Sequence, residues 1–485
     1  MGDVVPFGVA VALVALAAVL AVLSNRLSAR VRVPAPAFFL IAAAVASDVF
    51  PSLRGLPIKV DQRLVTIALV VILFDGGMHI GWSRFRAAAG AVVWIGVAGT
   101  AVTAAGMAVL AHVLFGFGWR SALLLGTALA PTDPAVVFSV LGRREITGRT
   151  GTIVEGESGA NDPVAIALMV SLLGATGGGV HALAAGMGEF VLQIALGAAL
   201  GAIGGYLLLL LMRRVPLPNA ALYPVQTVAF ACLIYGGATV AHGSGFLAVF
   251  LAGIVVGDAR APYKREIEHF AAGLASVAEI VVFTVLGLTV SLEHVVHDGE
   301  LWTGVAMAAL LILVVRPVLV GLVLAPIRLR RGERAFVLWA GLKGAVPIVL
   351  GTFVLTGGVS DATRIYGVIF VVVLISVVVQ GGLVPSVARL LKVPMRVVEP
   401  EPWALGMRFR DEPEGLRRYF VAPGSPADGC SISGLDVGET AWISMVSRDG
   451  RLVQLRGKTL LRAGDEVLLL ADPGVDIQRE FRAPG

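Results

Sequence analysis

Residues 119–174 read WRSALLLGTALAPTDPAVVFSVLGRREITGRTGTIVEGESGANDPVAIALMVSLLG. Two acidic motifs, TDP at 132–134 and ESGANDP at 157–163, interrupt apolar segments of membrane length at 119–142 and 151–174. A charge at bilayer depth costs at least about 2.5–3.5 kcal/mol, so packing is a poor explanation for these acids. A proline at that depth removes a backbone donor, breaks the helix and frees carbonyl groups. The stretch therefore predicts an ion site within the membrane.

The composition of the whole chain supports membrane insertion. It is 57% hydrophobic and only 15% charged, with a mean hydropathy of +0.87, which is too apolar for a soluble protein of 485 residues. The first span shows no features of a cleavable signal peptide. Thirteen spans can be drawn, of which 245–258 is short for about 30 Å of hydrocarbon, so that twelve or fourteen stay possible. The spans are 4–23, 34–50, 64–80, 87–115, 119–142, 151–174, 185–212, 221–241, 245–258, 269–292, 301–325, 334–357 and 365–388.

Basic residues predict the orientation, because short cytoplasmic loops are enriched in Lys and Arg. Alternate loops hold 17 basic residues against 5 in the intervening loops, which places the N-terminus outside and the C-terminus inside. The first set is Arg26, Arg30, Arg32, Arg84, Arg86, Arg143, Arg144, Arg149, Arg213, Arg214, Arg260, Lys264, Arg265, Arg328, Arg330, Arg331 and Arg334, and the second Arg54, Lys59, Arg63, Arg120 and Arg364. The net charge of +5 largely reflects this bias. No basic patch interleaved with aromatic residues suggests nucleic acid.

A change in composition predicts a second, cytoplasmic domain at 401–485, after a membrane domain at 1–395. Charges occur throughout this segment, between short alternating apolar runs such as 441–446 and 466–470. Asp449-Gly450 between two such runs is a hairpin signal. The segment can close one modest core, and burial would improve if two copies paired. Cys232 and Cys430 have no metal or redox spacing.

Three motifs in the order and spans that the family requires resemble the monovalent cation:proton antiporter 1 family, and within it the NhaP branch. They are LFDGG at 73–77, the TDP and ESGANDP pair, and GLKGAVP at 341–347. The resemblance covers residues 1–395. Separately, 415–473 resembles the C-terminal half of the regulator-of-potassium-conductance (TrkA-C) domain, through Ser433-Gly434-Leu435, Arg448-Asp449-Gly450 and LRAGDEV at 461–467. The dinucleotide-binding half of such regulators, with its GxGxxG turn, is not found.

The resemblance implies an all-α polytopic membrane fold, with about thirteen helices built as two inverted six-helix repeats, plus a small α+β cytoplasmic domain. The repeats would span about 1–174 and 221–388, and broken helices five and twelve would cross near the midplane. Pro134 interrupts span five, and Gly344 with Pro347 interrupts span twelve, at matching places of the two halves. Such matching breaks point to the binding site of a secondary transporter.

Several oxygen-bearing side chains could bind a dehydrated Na⁺ or K⁺. Asp162 lies one helical turn beyond Ser158, so both face the same side, and Asn161, Thr132 and the Asp133 region lie in the same two motifs. By family analogy, Asp75 stands where relatives place a Glu near the site. A protonated or cation-loaded Asp162 crosses a low-dielectric barrier more easily than an ionised one, which predicts obligatory exchange. Asp133 could instead cap the helix beginning after Pro134, and both roles are compatible.

Other charged residues within spans have structural interpretations. An isolated intramembrane Arg316 needs an anion, and the family analogy pairs it with Glu157. Lys343 is expected to be a fixed charge that neutralises helix dipoles in the second broken helix. Glu279 has no partner by spacing, and a role in packing or cavity solvation competes with one in transport. The family's electrogenic relatives carry two adjacent acids where this chain has Asn161-Asp162, which implies electroneutral exchange.

Two other classes of protein compete with the antiporter hypothesis. A cation channel would also place acids in the membrane, but no TVGYG-like filter or repeated pore loop occurs. The GESG stretch at 156–159 fits an intramembrane serine protease, yet no His stands at depth to activate Ser158. We expect a transporter rather than an enzyme, a homodimer of the bacterial inner membrane that exchanges K⁺, or alternatively Na⁺, for H⁺ by movement of spans five, six and twelve. We expect no cofactor, and a nucleotide or cation as possible ligand of the C-terminal domain.

Overall fold

The computed structural model describes residues 35–50, 57–141, 144–146, 148–174, 180–297, 299–397, 416–435, 441–448, 451–471 and 477–482. The chain divides into two compact units, Met1–Pro402 and Trp403–Gly485. The predicted span 4–23 lies outside the described residues. The first unit is helical, apart from one short strand pair, and the second is built around a small sheet.

Helices account for most of the first unit, because its sequence consists of long apolar stretches with few charges. Its first half contains α1 (Ala35–Val49), α2 (Ile58–Trp94), a π-helical turn (Ile95–Gly99), α3 (Thr100–Phe115), α4 (Trp119–Ala128), α5 (Pro134–Leu141), α6 (Arg149–Gly174) and α7 (Val180–Arg214). Its second half contains α8 (Leu222–Val240), α9 (Gly245–Gly257), α10 (Lys264–Leu288), α11 (Leu292–His297), α12 (Glu300–Leu310), a π-helical segment (Leu311–Val320), α13 (Gly321–Val323), α14 (Arg331–Trp339), α15 (Ala345–Thr356), α16 (Ala362–Ile375), a π-helical segment (Ser376–Gly381) and α17 (Gly382–Leu390).

Six helical segments within the described residues are long and apolar enough to cross a membrane. They are Ile58–Phe115, Gly186–Arg214, Leu222–Val240, Lys264–Leu288, Glu300–Val323 and Ala362–Leu390. Shorter apolar helices lie at Pro36–Val49, Gly245–Gly257 and Ala345–Thr356. The prediction of a helical polytopic membrane fold is confirmed, and the figure of about thirteen spans stays a prediction.

Two predicted spans, 64–80 and 87–115, are joined in the structure by a corner at Gly81 rather than by a loop. Gly81 has φ 66° and ψ 164°, a backbone conformation that L side chains rarely adopt. The carboxylate of Asp258 fills the place that a side chain at Gly81 would need. Its Oδ2 accepts a hydrogen bond from the Ser83 N–H at 2.5 Å. The chain therefore turns at Gly81. Asp258, the residue that follows α9, caps the helical turn that begins after this corner.

The fifth and twelfth predicted spans are both broken, but the breaks do not lie at Pro134 and Pro347. The first break runs from 129 to 133 and ends where α5 begins at Pro134. The second runs from 340 to 344, and Pro347 lies inside the first turn of α15. Proline is well tolerated in a first helical turn because the donor that it lacks has no partner there. Each of the two prolines thus lies in the first turn of the second half-helix.

Pro163 corrects the expectation that both motifs break their helices. It lies inside α6, which continues from Arg149 to Gly174. The missing N–H of Pro163 leaves a helix interior one hydrogen bond short without ending the helix. The backbone opening near the acidic motifs consequently comes from the break between α4 and α5 and not from α6.

The described strands of the second unit are β3 (Leu416–Phe420), β4 (Ala441–Arg448), β5 (Arg451–Leu452) and β6 (Glu466–Ala471), and the short helix α18 (Gln478–Phe481) packs on the core. These four strands form an antiparallel sheet in the order β3-β6-β4-β5. Alternate residues of β6, including Val467 and Leu469, are buried with Val446 and Phe481. This is the small sheet expected at the C-terminus. The hairpin turn predicted at Asp449-Gly450 falls outside the described residues, while β4 and β5 on either side of it pair antiparallel.

The two short strands of the first unit, β1 and β2 in chain order, are called βA (Arg144–Ile146) and βB (Met395–Val397). They pair antiparallel, with Glu145 opposite Arg396. Strand βA lies between α5 and α6, and βB follows α17. The C-terminal end of the first unit is therefore hydrogen-bonded through its backbone to the segment that connects α5 and α6.

Candidate functional site

The two helix breaks meet each other in the interior of the first unit. The Asp133 N–H donates a hydrogen bond of 2.8 Å to the Leu342 carbonyl. The Asp133 side chain also lies directly against Gly344, in the space that a Cβ at Gly344 would occupy. Gly344 immediately precedes α15, so the carboxylate lies at the partially positive end of that half-helix. The first acidic motif is therefore joined to the second break by backbone and side chain.

Lys343 lies at the negative end of the opposite half-helix. Its Nζ donates to the carbonyls of Ala130 (2.9 Å) and Pro131 (2.8 Å), just beyond the end of α4. The side chain is 1% exposed. A buried ammonium needs compensation, and carbonyl groups at the C-terminal end of a helix carry partial negative charge that supplies it. Lys343 thus connects the second break to the first.

Arg316 likewise lies at the negative, C-terminal end of a helix, in this case α14. Its Nη2 lies 3.0 Å from Oε1 of Glu157 and donates to the Val337 carbonyl at 3.2 Å, while its Nε donates to the Leu338 carbonyl at 2.9 Å. Both carbonyls belong to the last turn of α14. The guanidinium also fills the space beside Gly341. A single buried cation therefore bonds α6, the π-helical segment 311–320 and α14 together.

The ESGANDP motif on α6 binds the first break through hydrogen bonds to Thr132. The Asn161 amide donates to Thr132 Oγ1 (2.7 Å) and accepts from the Thr132 N–H (3.2 Å). Ser158 Oγ donates to the Thr132 carbonyl at 2.5 Å. Thr132 therefore binds both the oxygen and the nitrogen of the Asn161 side-chain amide. The structure thus brings Thr132, Ser158 and Asn161 together, as part of one cluster with Asp133.

Asp162 faces this cluster with an incompletely bonded carboxylate. It is 7% exposed, and its Oδ1 is buried with no hydrogen-bond partner within the described part of the chain. Asp133 and Lys343 are the charged groups that act on it through space. A buried carboxylate oxygen without a partner is costly, and a proton or a cation would satisfy it. Asp133, Thr132 and Ser158 also carry oxygen atoms, which are the hard ligands that alkali cations require.

Two other acids lie on α2 and α10. Asp75 on α2 pairs with His79, one turn away, at 3.4 Å. Its place near the cation site, which the family analogy implies, stays a prediction. Glu279 on α10 has a buried Oε1 without a hydrogen-bond partner in the described ranges. Asp133 acts on its charge, which places Glu279 on the cluster's side of α10.

Sequence reasoning missed two polar residues, Ser376 and Gln380, that bond the second break. Ser376 Oγ accepts from the Lys343 N–H at 2.9 Å and donates to Gln380 Oε1 at 2.8 Å. Gln380 Nε2 donates to the Trp339 carbonyl at 2.5 Å. A Gln inside the predicted span 365–388 was the available signal, since an amide at that depth needs partners.

Two broken helices that cross at a buried acidic cluster define a class of protein, namely a secondary transporter. Residues 7–390 match the family described as sodium/hydrogen exchanger, transmembrane. The chain therefore belongs to this family of cation/proton antiporters, and it is a membrane transporter and not an enzyme. The family resemblance drawn from the motifs is confirmed.

Curated relatives support the same family over most of the chain. A K(+)/H(+) antiporter NhaP of Alkalimonas amylolytica is 33% identical over 93% of this chain and 79% of its own length. A K(+)/H(+) antiporter NhaP2 of Shewanella sp. (strain MR-4) is 32% identical over 94% of this chain and 80% of its own length. A Na(+)/H(+) antiporter NhaP of Pseudomonas aeruginosa is 27% identical over 69% of this chain and 82% of its own length.

Among solved structures, the sodium proton antiporter MjNhaP1 of Methanocaldococcus jannaschii at pH 8 superposes with a TM-score of 0.68. The match covers 79% of this chain and 99% of that chain at 19% identity. At this identity the similarity concerns the fold alone, and it confirms the predicted antiporter fold for the membrane unit.

Proposed function

We propose that this chain exchanges K⁺ for H⁺, with Asp162 as the group that binds either the proton or the cation. The observation that carries the proposal is the Oδ1 of Asp162, which is buried with no hydrogen-bond partner among the described residues and on which the charges of Asp133 and Lys343 act. A proton or a cation on Asp162 removes the cost of carrying an ionised carboxylate through a low-dielectric barrier. Because one carboxylate serves both ligands, their binding is mutually exclusive, and exchange follows.

The relatives support potassium as the cation. The two that are named K(+)/H(+) antiporters match 93–94% of this chain, a coverage that must extend into the C-terminal segment. The relative named a Na(+)/H(+) antiporter matches 69%. A potassium-regulator-like segment at 415–473 points in the same direction. Sodium is the alternative cation, and Na⁺ and K⁺ would use the same oxygen ligands.

We infer that the exchange is electroneutral, one cation for one proton. Asn161 occupies the position beside Asp162, and its amide bonds Thr132 through both its donor and its acceptor. An amide neither titrates nor balances the charge of a cation. Asp162 is therefore the titratable member of the pair.

A flux experiment tests both statements. Purified protein in proteoliposomes is given a pH gradient, and K⁺, Na⁺ and Li⁺ are compared, with Asp162→Asn as the loss-of-site variant. We expect exchange with K⁺, little dependence on an imposed membrane potential, and no coupled flux in the variant at normal insertion. Coupled flux near the normal rate in Asp162→Asn would overturn the assignment of the site, and exchange with Na⁺ alone would overturn that of the ion.

We further propose that the protein is a homodimer in the bacterial inner membrane, with its N-terminus outside and its C-terminus in the cytoplasm. The uneven distribution of Lys and Arg between alternate loops supports the orientation. Exposed apolar side chains on the membrane unit, including Val113, Leu233 and Leu322, suit contact with lipid or a second copy. Labelling of cysteines placed in opposite loops of intact cells and mass measurement in nanodiscs test these points.

The C-terminal unit is proposed to be a TrkA-C-like regulator that binds a cytoplasmic nucleotide, including a cyclic dinucleotide, or an inorganic cation. Strand βB supports this role, because it lies on the chain between α17 and the C-terminal unit and pairs with βA. Strand βA in turn directly precedes α6, the helix of Asp162. A ligand with different affinity for two states of the transporter could bias it through this backbone connection.

A further inference from the structure

The second helix break leaves backbone groups that need partners outside the helix ladder. Between the last residue of α14, Trp339, and the start of α15, the chain is unwound. Unsatisfied backbone groups in the interior of a membrane protein cost several kcal/mol each. The hydrogen-bond partners of these backbone groups therefore determine the backbone conformation of the break.

Ser376 and Gln380 supply those partners from a neighbouring helix. They lie one turn apart in the π-helical segment between α16 and α17 and are each 1% exposed. Gln380 accepts at its side chain from Ser376 and donates to the Trp339 carbonyl, and the Ser376 hydroxyl accepts from the Lys343 N–H. The indole of Trp339 donates back to the Gln380 carbonyl at 3.3 Å. The pair therefore bonds the beginning and the end of the break.

The conformation of the second break affects the cation site through Lys343, which lies near the end of the break. Lys343 provides the N–H that Ser376 binds and also the ammonium that reaches the Ala130 and Pro131 carbonyls. The next residue, Gly344, lies against the Asp133 carboxylate. A backbone shift at Lys343 would move the ammonium relative to α4 and alter the charge that Asp162 experiences.

We infer that Ser376 and Gln380 are positioning residues, which hold the second break in the conformation in which Lys343 and Asp133 frame the cation site. Neither residue is assigned contact with the transported ion. The inference rests on the proposed function only in placing the site beside Asp162, and it holds for whichever monovalent cation the protein exchanges. Removing the pair does not alter the residues of the cation site themselves. It lowers the fraction of the protein that adopts the conformation able to bind the cation.

A lower competent fraction has a specific kinetic consequence. The apparent dissociation constant of a ligand rises in inverse proportion to the fraction of protein that can bind it. One buried hydrogen bond that is lost, with its partner left unsatisfied, corresponds to roughly a tenfold effect. The apparent KM for the cation should therefore rise, and the pH of half-maximal exchange should shift, while the maximal rate at saturating cation changes little.

The test uses the full-length protein in proteoliposomes. Gln380→Met keeps the length of the side chain and removes its hydrogen bonds, and Ser376→Ala removes the acceptor of the Lys343 N–H. The matched control is Thr227→Val, which removes a buried hydroxyl that bonds only the Tyr223 carbonyl of its own helix. Exchange is measured against K⁺ and Na⁺ concentration and against pH, together with the melting temperature in detergent.

We expect a rise of about tenfold in apparent KM and a shifted pH profile for each variant, no larger effect in the double variant, and neither change in the control. A lower melting temperature with unchanged KM and pH profile would overturn the inference and leave the pair a structural role. Failure of both single variants to fold would overturn it likewise. Activity of the unaltered protein with Na⁺ instead of K⁺ would contradict the proposed ion but leave this test intact.

Discussion

At the scale of single residues, each negative helix end at the site is matched with a buried cation. Lys343 bonds carbonyls beyond α4, and Arg316 bonds carbonyls in the last turn of α14. The sequence indicated that both cations need partners, because a charge at bilayer depth is too costly to stand alone. It could not indicate these particular carbonyls, because they belong to other segments, 21 and 22 residues along the chain from Arg316 and more than 200 residues from Lys343.

The ion pair between Glu157 and Arg316 leads to a double-mutant prediction. Glu157→Gln and Arg316→Ala should each lower stability, because breaking a buried pair leaves an uncompensated charge at a cost of about 3–5 kcal/mol. The double variant should lose less than the sum of the two. Melting temperatures of the four detergent-solubilised proteins measure this coupling, and strictly additive losses would show that the two residues do not interact.

In the C-terminal unit, Asp465 leads to a pH-dependent prediction. Burial raises the pKa of its carboxyl, but hydrogen bonds from the Arg448 side chain (both 2.7 Å) and the Arg462 N–H (2.8 Å) outweigh it and hold the pKa below the ordinary 3.8. The folded state thus gains stability above pH 3.8 and loses it as the pH falls through the lower folded-state pKa.

Asp465→Asn should therefore destabilise the C-terminal sheet at pH 7, and the difference should shrink toward pH 3. Hydrogen exchange of β6 amides, corrected for the intrinsic rate at each pH, measures it. Glu466→Gln is the control, since the partly exposed Arg418–Glu466 pair contributes at most about 1 kcal/mol. An effect of Asp465→Asn that stays constant with pH would assign the loss to packing instead of charge.

At the scale of elements, the two broken helices were predictable as breaks but not in their bounds. Pro134 and Pro347 marked the correct spans because proline is disfavoured in a helix interior. Both prolines start or lie in the first turn of the second half-helix, whereas Pro163 remains inside α6. The position of each break depends on groups such as Leu342 and Gln380, which accept or donate across to it from elsewhere in the fold.

The close approach of the two breaks predicts that Gly344→Ala abolishes exchange. A Cβ at Gly344 would collide with the Asp133 side chain and push the two breaks apart. Gly273→Ala is the matched control, because the space beside Gly273 on α10 is open. Proteoliposome flux and gel-filtration profiles of both variants provide the measurement. Full exchange by a properly folded Gly344→Ala protein would contradict the geometry of the crossing.

At the scale of the whole molecule, the structure refines how the proposed regulator can be separated from the transporter. Strand βB extends to Val397 and pairs with βA, so a chain ended at Met395 would lose part of that pairing. A protein that ends at Pro402 keeps the whole first unit. The test of the regulatory proposal therefore uses a protein that ends at Pro402 rather than at Met395.

We predict that the protein ending at Pro402 still exchanges cations but responds differently to cytoplasmic pH or ligand. The reason is that regulation needs a domain whose ligand affinity differs between transporter states, and the shortened chain lacks it. Exchange is recorded over a range of pH, with and without cell extract on the cytoplasmic side. Superimposable profiles of the two proteins would reduce the C-terminal unit to a role in assembly or stability.

The sequence by itself determined the membrane class, the family, the two broken spans and the acids in the fifth and sixth spans. These follow from hydropathy, from the cost of charge in hydrocarbon and from local proline chemistry, all of which act within a short stretch of chain. Tertiary structure alone decided the carbonyl partners of Lys343 and Arg316 and the bonds from Ser376 and Gln380 to the second break. Those depend on which helices lie side by side, because these hydrogen bonds act over about 3 Å between groups that are 21 to 213 residues apart in sequence.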